Sequence, residues 1–290
     1  MSTGVVLMAY GTPASAEDLA AYYTHIRRGR PPTKEQLAEL RARYNTIGGM
    51  SPLRRITEAQ RDRIAATLGD GFVVELGYKH APPFIEDALV ELKNNDVTEI
   101  VGVVLAPHDS RGSIGEYVER LGPDAKAVRS WHELPAWRSF QAHAVEAALA
   151  SMPPQTHVVF TAHSLPERVL QGDVYVDELH TSAEGIAALA GLGDDEWSIG
   201  WQSAAKTPEP WRGPDIGEVL QTLASEGNVR GVLVCPQGFT ADHLEVLYDL
   251  DVVARRRADE LGLRFGRTAM LNDDAEVLAA LAAEVRALAA

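Results

Sequence analysis

The chain carries a single cysteine, Cys235, in 290 residues. One thiol cannot close an intramolecular disulfide, and it cannot furnish a cysteine-only zinc or iron–sulfur site. Cys235 lies in the apolar run Val232-Leu233-Val234-Cys235, so it reads as a buried structural thiol. Long apolar stretches are missing too. Nothing approaches the roughly 18 residues needed to span a bilayer, and no charged leader precedes an apolar segment and cleavage site. No integral membrane segment is expected, and a reducing cytoplasm fits. Positive charge is scarce: Lys and Arg number 27 against 41 Asp and Glu, for a net charge of −14. Such a chain repels a phosphate backbone, which excludes nucleic acid as a partner. There is no GxGxxG, no GxxxxGK[ST] and no GxSxG, so dinucleotide, P-loop and nucleophile-elbow readings lack their motifs. The usual HxxxH and CxxC spacings are absent as well, and no permanent structural metal is expected.

What is present is an ordinary globular balance, 46% apolar and 23% charged. Strand-like runs recur at Gly4–Ala9, Phe72–Leu76, Ile100–Leu105, Val158–Thr161, Trp197–Trp201 and Val232–Pro236. Continuous β-branched runs of this kind suit strands covered on both faces, as in parallel sheets. Helical patterns lie between them, at Thr57–Leu68, Pro83–Asn94, Trp137–Ala150 and Asp177–Ala190, with an Ala/Leu/Glu helix over Asp274–Ala289. The alternation predicts an α/β fold. The order of elements repeats after about residue 150, near Met152-Pro153-Pro154. Two similar Rossmann-like halves are therefore expected, with parallel sheets flanked by helices and a cleft between them. Residues 1–150 form the N-terminal half and 151–290 the C-terminal half, the last helix packing back on the first half.

Each half offers a histidine just past a strand: Leu105-Ala106-Pro107-His108 and Thr161-Ala162-His163-Ser164. Open α/β sheets bind ligands at such carboxyl ends. Pro166 keeps the chain after His163 out of a helix, so His163 is expected to face the crevice. Asp242, Glu245 and Asp249 are spaced i, i+3, i+7 and share a face on a regular helix. Three carboxylates on one stripe repel each other unless a cation or proton intervenes. One histidine and one carboxylate make a sparse, open site, suited to a metal held briefly and to a base working near neutral pH. Tyr10 follows the first strand and is expected to project into the same cleft. Arg27-Arg28-Gly29-Arg30 is a basic cluster in an acidic chain, able to bind carboxylates in bidentate fashion.

At these residues the chain resembles the ferrochelatase family over nearly its full length, and within it the coproporphyrin ferrochelatases of the Gram-positive type. The resemblance rests on ordered blocks: Met8–Pro13, Tyr22–Arg30, Ile47–Leu53, Lys79-His80, Leu105–His108, Ala162–Pro166 and Asp242–Asp249. It implies that ferrous iron enters coproporphyrin III to give coproheme, with release of two protons, in haem biosynthesis. By position, His163 and Glu245 match the catalytic and metal-handling pair, and Tyr10 the tyrosine that ligates iron in the product. Arg27, Arg43, Tyr44, Ser51 and Tyr117 match porphyrin-lining or propionate-holding positions, and Asp242 and Asp249 a path for the metal. The tyrosine-bearing first block is similar to the coproporphyrin group rather than the protoporphyrin group.

Protoporphyrin IX or another tetrapyrrole as substrate, and a porphyrin or haem carrier without insertion, are the alternative readings. The resemblance further implies Fe2+ as substrate with no bound cofactor. With one cysteine, the [2Fe–2S] cluster of some relatives is not expected. A monomer is expected, passing product to a downstream coproheme-using enzyme. The chain departs from the family at Asp109, where an aromatic is usual, in the glycine-rich loop Arg111–Gly115, and at Val252-Val253, where relatives can carry another acid.

Overall fold

Residues 2–289 are described by the structure, a computed structural model. Two four-stranded parallel sheets form its halves. The first holds β1 (Ser2–Ala9), β2 (Phe72–Tyr78), β3 (Val97–Val104) and β4 (Lys126–Val128) in the order β2-β1-β3-β4. The second holds β5 (Thr156–His163), β6 (Trp197–Gln202), β7 (Gly231–Cys235) and β8 (Arg264–Arg267) in the order β6-β5-β7-β8. The two orders are the same, so the halves repeat one topology, and helices flank both sheets as expected. In each sheet the winding reverses beside the first strand, between β1 and β3 and between β5 and β7. Crevices open at the carboxyl ends of strands at such switch points.

The strands alternate their cargo between two helical layers, which is why their sequences read as unbroken apolar runs. Val5 and Leu7 of β1 pack towards α3 (Leu53–Leu68) and α11 (Ala275–Ala289). Val6 and Met8 pack towards α4 (Ile85–Asn94) and α5 (Ile114–Leu121). In the second sheet Val158 and Phe160 meet α6 (Pro135–Leu149) and α8 (Tyr175–Leu189), while Val159 meets α9 (Ile216–Glu226). The strands repeat after residue 150, but α6 precedes that point and packs on the second sheet through Ala142 and Val145. The exchange is mutual. α11 crosses back and buries Val277, Leu278, Leu281 and Val285 in the core of the first half. α6 also sends Trp137 into the core of the first half, so it packs on both.

Two helices that the apolar pattern does not reveal, α1 (Leu19–Ile26) and α2 (Lys34–Thr46), form an arm between β1 and α3. α2 begins at a capping box in which Thr33 and Gln36 bond each other's backbone N–H groups. After β7, the chain enters a helix at Leu244 that widens into π-helical turns over Val246–Ala254 before closing as α10 (Arg255–Glu260). A short α7 (Glu167–Leu170) follows β5. Among the described residues, no helix is long and apolar enough to cross a membrane.

Candidate active site at the facing switch points

The loops leaving β1, β3, β5 and β7 converge on one cavity of about 310 Å³. It brings together Tyr10, Tyr44, Ser51, Tyr117, His163 and Glu245 from the expected set. His163 is the last residue of β5. Its carbonyl accepts from the Tyr175 hydroxyl at 3.1 Å, and its Nδ1–H donates to the Ser164 carbonyl at 2.5 Å. With Nδ1 so occupied, Nε2 is the atom presented to the cleft. Glu245 arrives from the other side, one residue before the π-helical turns. Gly238, on the loop between them, packs against β5. A Cβ there would sit 2.6 Å from the Ala162 Cβ and 2.8 Å from its Cα, so only glycine lets this loop lie beside the end of β5.

His163 Nε2 lies 3.7 Å from Glu245 Oε1, and His243 Nε2 lies 3.6 Å from Glu245 Oε2. His243 is oriented like His163, with Nδ1 on a carbonyl, that of Ala241 at 2.9 Å. Both gaps are too long for a direct hydrogen bond. Bonds of about 2.1 Å from a divalent ion to nitrogen and to oxygen bridge the His163–Glu245 gap with a bent geometry. Burial by itself raises the Glu245 carboxyl, but the facing His163 and His243 outweigh it and hold it well below the usual carboxylate range. Burial by itself lowers His163. The Glu245 charge, the Ser164 carbonyl and Asp249 reverse that and hold the imidazole above its ordinary value. The spacing leaves room for one cation between the two side chains, a proton or a metal ion. Among the described residues, no three of His, Cys, Asp and Glu are arranged as a permanent metal site requires.

Three of the expected tyrosines line the same cavity. Burial, followed by the charge of Glu245, pushes the Tyr10 hydroxyl up. Tyr44 is raised by burial and shares a 3.2 Å hydrogen bond with Thr12. Burial, followed by the charge of Glu116, raises Tyr117. All of them remain neutral donors at physiological pH.

Other expected residues lie outside this cavity. Arg27 ends α1, packs over the Tyr23 ring and bonds the Arg30 carbonyl. Arg43 on α2 pairs with Glu39 at 3.0 Å and lies over the Tyr248 ring. Asp249 accepts from Ser203 Oγ at 2.5 Å, and burial followed by the Glu245 charge raises its carboxyl. Asp242 does not join Glu245 and Asp249 on one helical face. It precedes the helix, and its oxygens are held by Asn272 at 2.9 Å and Arg267 at 3.1 Å. The i, i+3, i+7 expectation fails here because the helix starts later and then takes i→i+5 turns. Tyr22, His108 and His243 line the cavity without having been assigned a role from sequence. Tyr22 and His243 sit inside the quoted blocks, which was their only signal.

The match to known proteins covers the whole chain. The family described as Ferrochelatase matches residues 2–288. A coproporphyrin III ferrochelatase of Geobacillus kaustophilus is 41% identical, with 98% of this chain and 95% of the relative covered. One from Bacillus subtilis is 41% identical, with 97% and 96% covered. In three dimensions the chain is similar to SirB from Bacillus subtilis, solved with Fe3+, at a TM-score of 0.56 and 14% identity, covering 100% of this chain and 96% of that one. That last likeness speaks to the fold alone, two facing halves with parallel sheets. The family match over residues 2–288 and 41% identity along nearly the whole chain, with a cleft that brings a histidine and a carboxylate face to face, lead to one conclusion: the chain belongs to the ferrochelatase family.

Proposed function

We propose that this protein inserts ferrous iron into coproporphyrin III, giving coproheme and two protons. The observation that carries the reading is the His163–Glu245 pair, 3.7 Å apart in a cavity also lined by neutral phenols. The relatives bearing the name coproporphyrin III ferrochelatase supply the substrate. Iron must shed water before it enters the macrocycle, and a temporary nitrogen and oxygen ligand on one side of the ring lowers that cost. The pyrrole N–H groups must lose their protons. His163 Nε2 is the base, its tautomer set by the bond from Nδ1–H to Ser164. Glu245 stabilises the resulting imidazolium, and Asp249, raised and beside it, takes part in carrying the proton or the metal along the π-helical turns. Asp242 contributes by bracing the entry to the helix through Asn272 and Arg267.

Tyr10 faces the pair across the ring and ligates the iron of the product. Tyr44, Ser51 and Tyr117 line the macrocycle. Arg27 and Arg43, on the helical arm that supplies Tyr22 and Tyr44, hold propionates as they enter, and four carboxylates on coproporphyrin give them work. The protein acts in the cytoplasm as a monomer and hands its product to a coproheme-using enzyme. Its one cysteine is buried, 3.3 Å from Gln141 Oε1, and serves packing rather than a cluster.

The test is anaerobic metallation. Purified protein with ferrous iron should turn over coproporphyrin III with a kcat/KM at least tenfold above that for protoporphyrin IX. Equal values, or a preference for protoporphyrin, would remove the substrate assignment.

A further inference from the structure

The helix that carries Glu245 and Asp249 is gripped at two points by one side chain from a neighbouring strand. Arg267 ends β8, where its pairing with Val234 fixes it to the sheet. Its side chain is 14% exposed. Nε and Nη2 donate to the two Asp251 oxygens at 2.8 and 2.9 Å, a bidentate geometry that sets the direction of a carboxylate as well as its distance. Nη2 also lies 3.1 Å from Asp242 Oδ1. Nη1 donates to the Thr268 carbonyl at 3.2 Å. Asp251 lies inside the π-helical turns, and Asp242 lies ahead of the helix start at Leu244. Glu245 and Asp249 stand between these two anchors.

The Asp242 end is itself fixed. Its N–H donates to Asn272 Oδ1 at 2.8 Å, and Asn272 Nδ2 donates back to Asp242 Oδ2 at 2.9 Å. The Asn272 N–H is held by the Thr240 carbonyl at 2.9 Å, and its own carbonyl accepts from Gln60 Nε2 of α3 at 2.6 Å. Hydrogen bonding of the i→i+5 kind is rare and competes with the ordinary α-helical ladder open to the same residues. A change from one ladder to the other turns every later side chain about the helix axis. With Asp242 fixed, Asp251 meets Arg267 in one register only. Arg255 provides no second grip of this kind, because it bonds the Asp251 and Phe265 carbonyls rather than a carboxylate.

We propose that Arg267 is a positioning residue for the metal: by joining Asp242 to Asp251, it holds the π-helical register that sets Glu245 against His163 and Asp249 beside it. This rests on the reading of Glu245 and Asp249 as iron-handling groups, and the experiment keeps the two apart. Arg267→Lys and Asp251→Glu preserve every charge but break the paired bonds, since an ammonium is a point donor and the longer acid displaces its carboxylate. At saturating coproporphyrin III, KM for ferrous iron should rise about tenfold in Arg267→Lys and about threefold or more in Asp251→Glu, while KM for coproporphyrin III stays within about twofold of wild type. An unchanged iron KM in both variants, or iron and porphyrin KM rising together, overturns the proposal. A second readout needs no turnover. Amide hydrogen exchange over residues 244–254 should quicken about tenfold in Arg267→Lys, while α3 and α4 keep wild-type protection. Unchanged protection over 244–254 overturns the proposal. So does a general loss with no excess there, which would make Arg267 a structural residue of the whole fold. Wild-type protein that fails to insert iron removes the iron reading, and the exchange result still decides whether Arg267 holds the register.

Discussion

At the scale of residues, the proposed chemistry rests on two groups that shift each other's protonation. His163 is held above its ordinary value and Glu245 below its own, each by the other's charge. The sign for activity follows. Insertion needs His163 neutral, so kcat/KM should climb with pH through an inflection above the ordinary histidine value of 6.5. Glu245→Gln removes the anion that holds the proton on, so the inflection should move down in pH while the plateau rate falls by about 10²-fold or more, within the range usual for general acid–base groups. A pH profile of kcat/KM for both proteins checks this, and an inflection that stays put in Glu245→Gln contradicts the coupling. Much of this pair was legible in the sequence. His163 follows an apolar strand and precedes a proline-bearing turn, and Glu245 lies in a run of acids. What could not be read was the third member, His243. Its Nε2 reaches the same carboxylate only because Nδ1 is fixed on the Ala241 carbonyl. His108 was legible as a strand-end histidine, like His163, but its burial was not, since its neighbours set it.

At the scale of elements, β1 and β5 were evident because both faces of each are buried, which writes a continuous apolar run. β4 and β8 are short edge strands, Lys126–Val128 and Arg264–Arg267, with too few apolar residues to register a pattern. The helix after β7 shows the limit of periodicity most clearly. A 3.6-residue repeat places Asp242, Glu245 and Asp249 together, yet the helix begins only at Leu244, and Asn272 and Arg267 draw Asp242 away, leaving Glu245 and Asp249 as neighbours. π-helical turns are rare and gather at functional sites, so the misreading falls where the site is. The close approach of the Gly238 loop to β5 yields a prediction at this scale. Gly238→Ala drives a methyl into Ala162, next to His163. It should destabilise the fold by about 1–3 kcal/mol, as overpacking does, and lower kcat more than porphyrin affinity. Denaturant unfolding with parallel kinetics reads both. An unchanged kcat in a destabilised protein would show that the loop does not set the position of His163.

At the scale of the whole molecule, the two halves are tied by an exchange of helices. α6 carries Trp137 into the first core while its Ala142 and Val145 meet the second sheet, and α11 returns to the first, so the first half is not one contiguous stretch of chain. That exchange holds the two switch points face to face. Its strength can be tested away from the cleft. Leu281 is fully buried in α11, and Leu281→Ala should cost about 2–5 kcal/mol, as buried leucine truncations do, with turnover per folded molecule near normal. Loss of turnover without loss of stability would mean that α11 shapes the cleft directly. The overall α/β class and the repeat were readable from alternation, because each half repeats one strand order. The exchange was not, because helical amphipathicity says which face is buried but not against which sheet.

In the proposed division of labour in the cleft, His163 moves protons and holds metal while the surrounding walls hold the macrocycle. The most direct measurement is a paired assay on His163→Ala, with ferrous iron insertion into coproporphyrin III under anaerobic conditions and porphyrin binding by fluorescence quenching. Insertion should fall to background while the porphyrin Kd stays within a few-fold of wild type. Near-normal turnover in the variant would contradict the role given to His163, and with it the reading of the site.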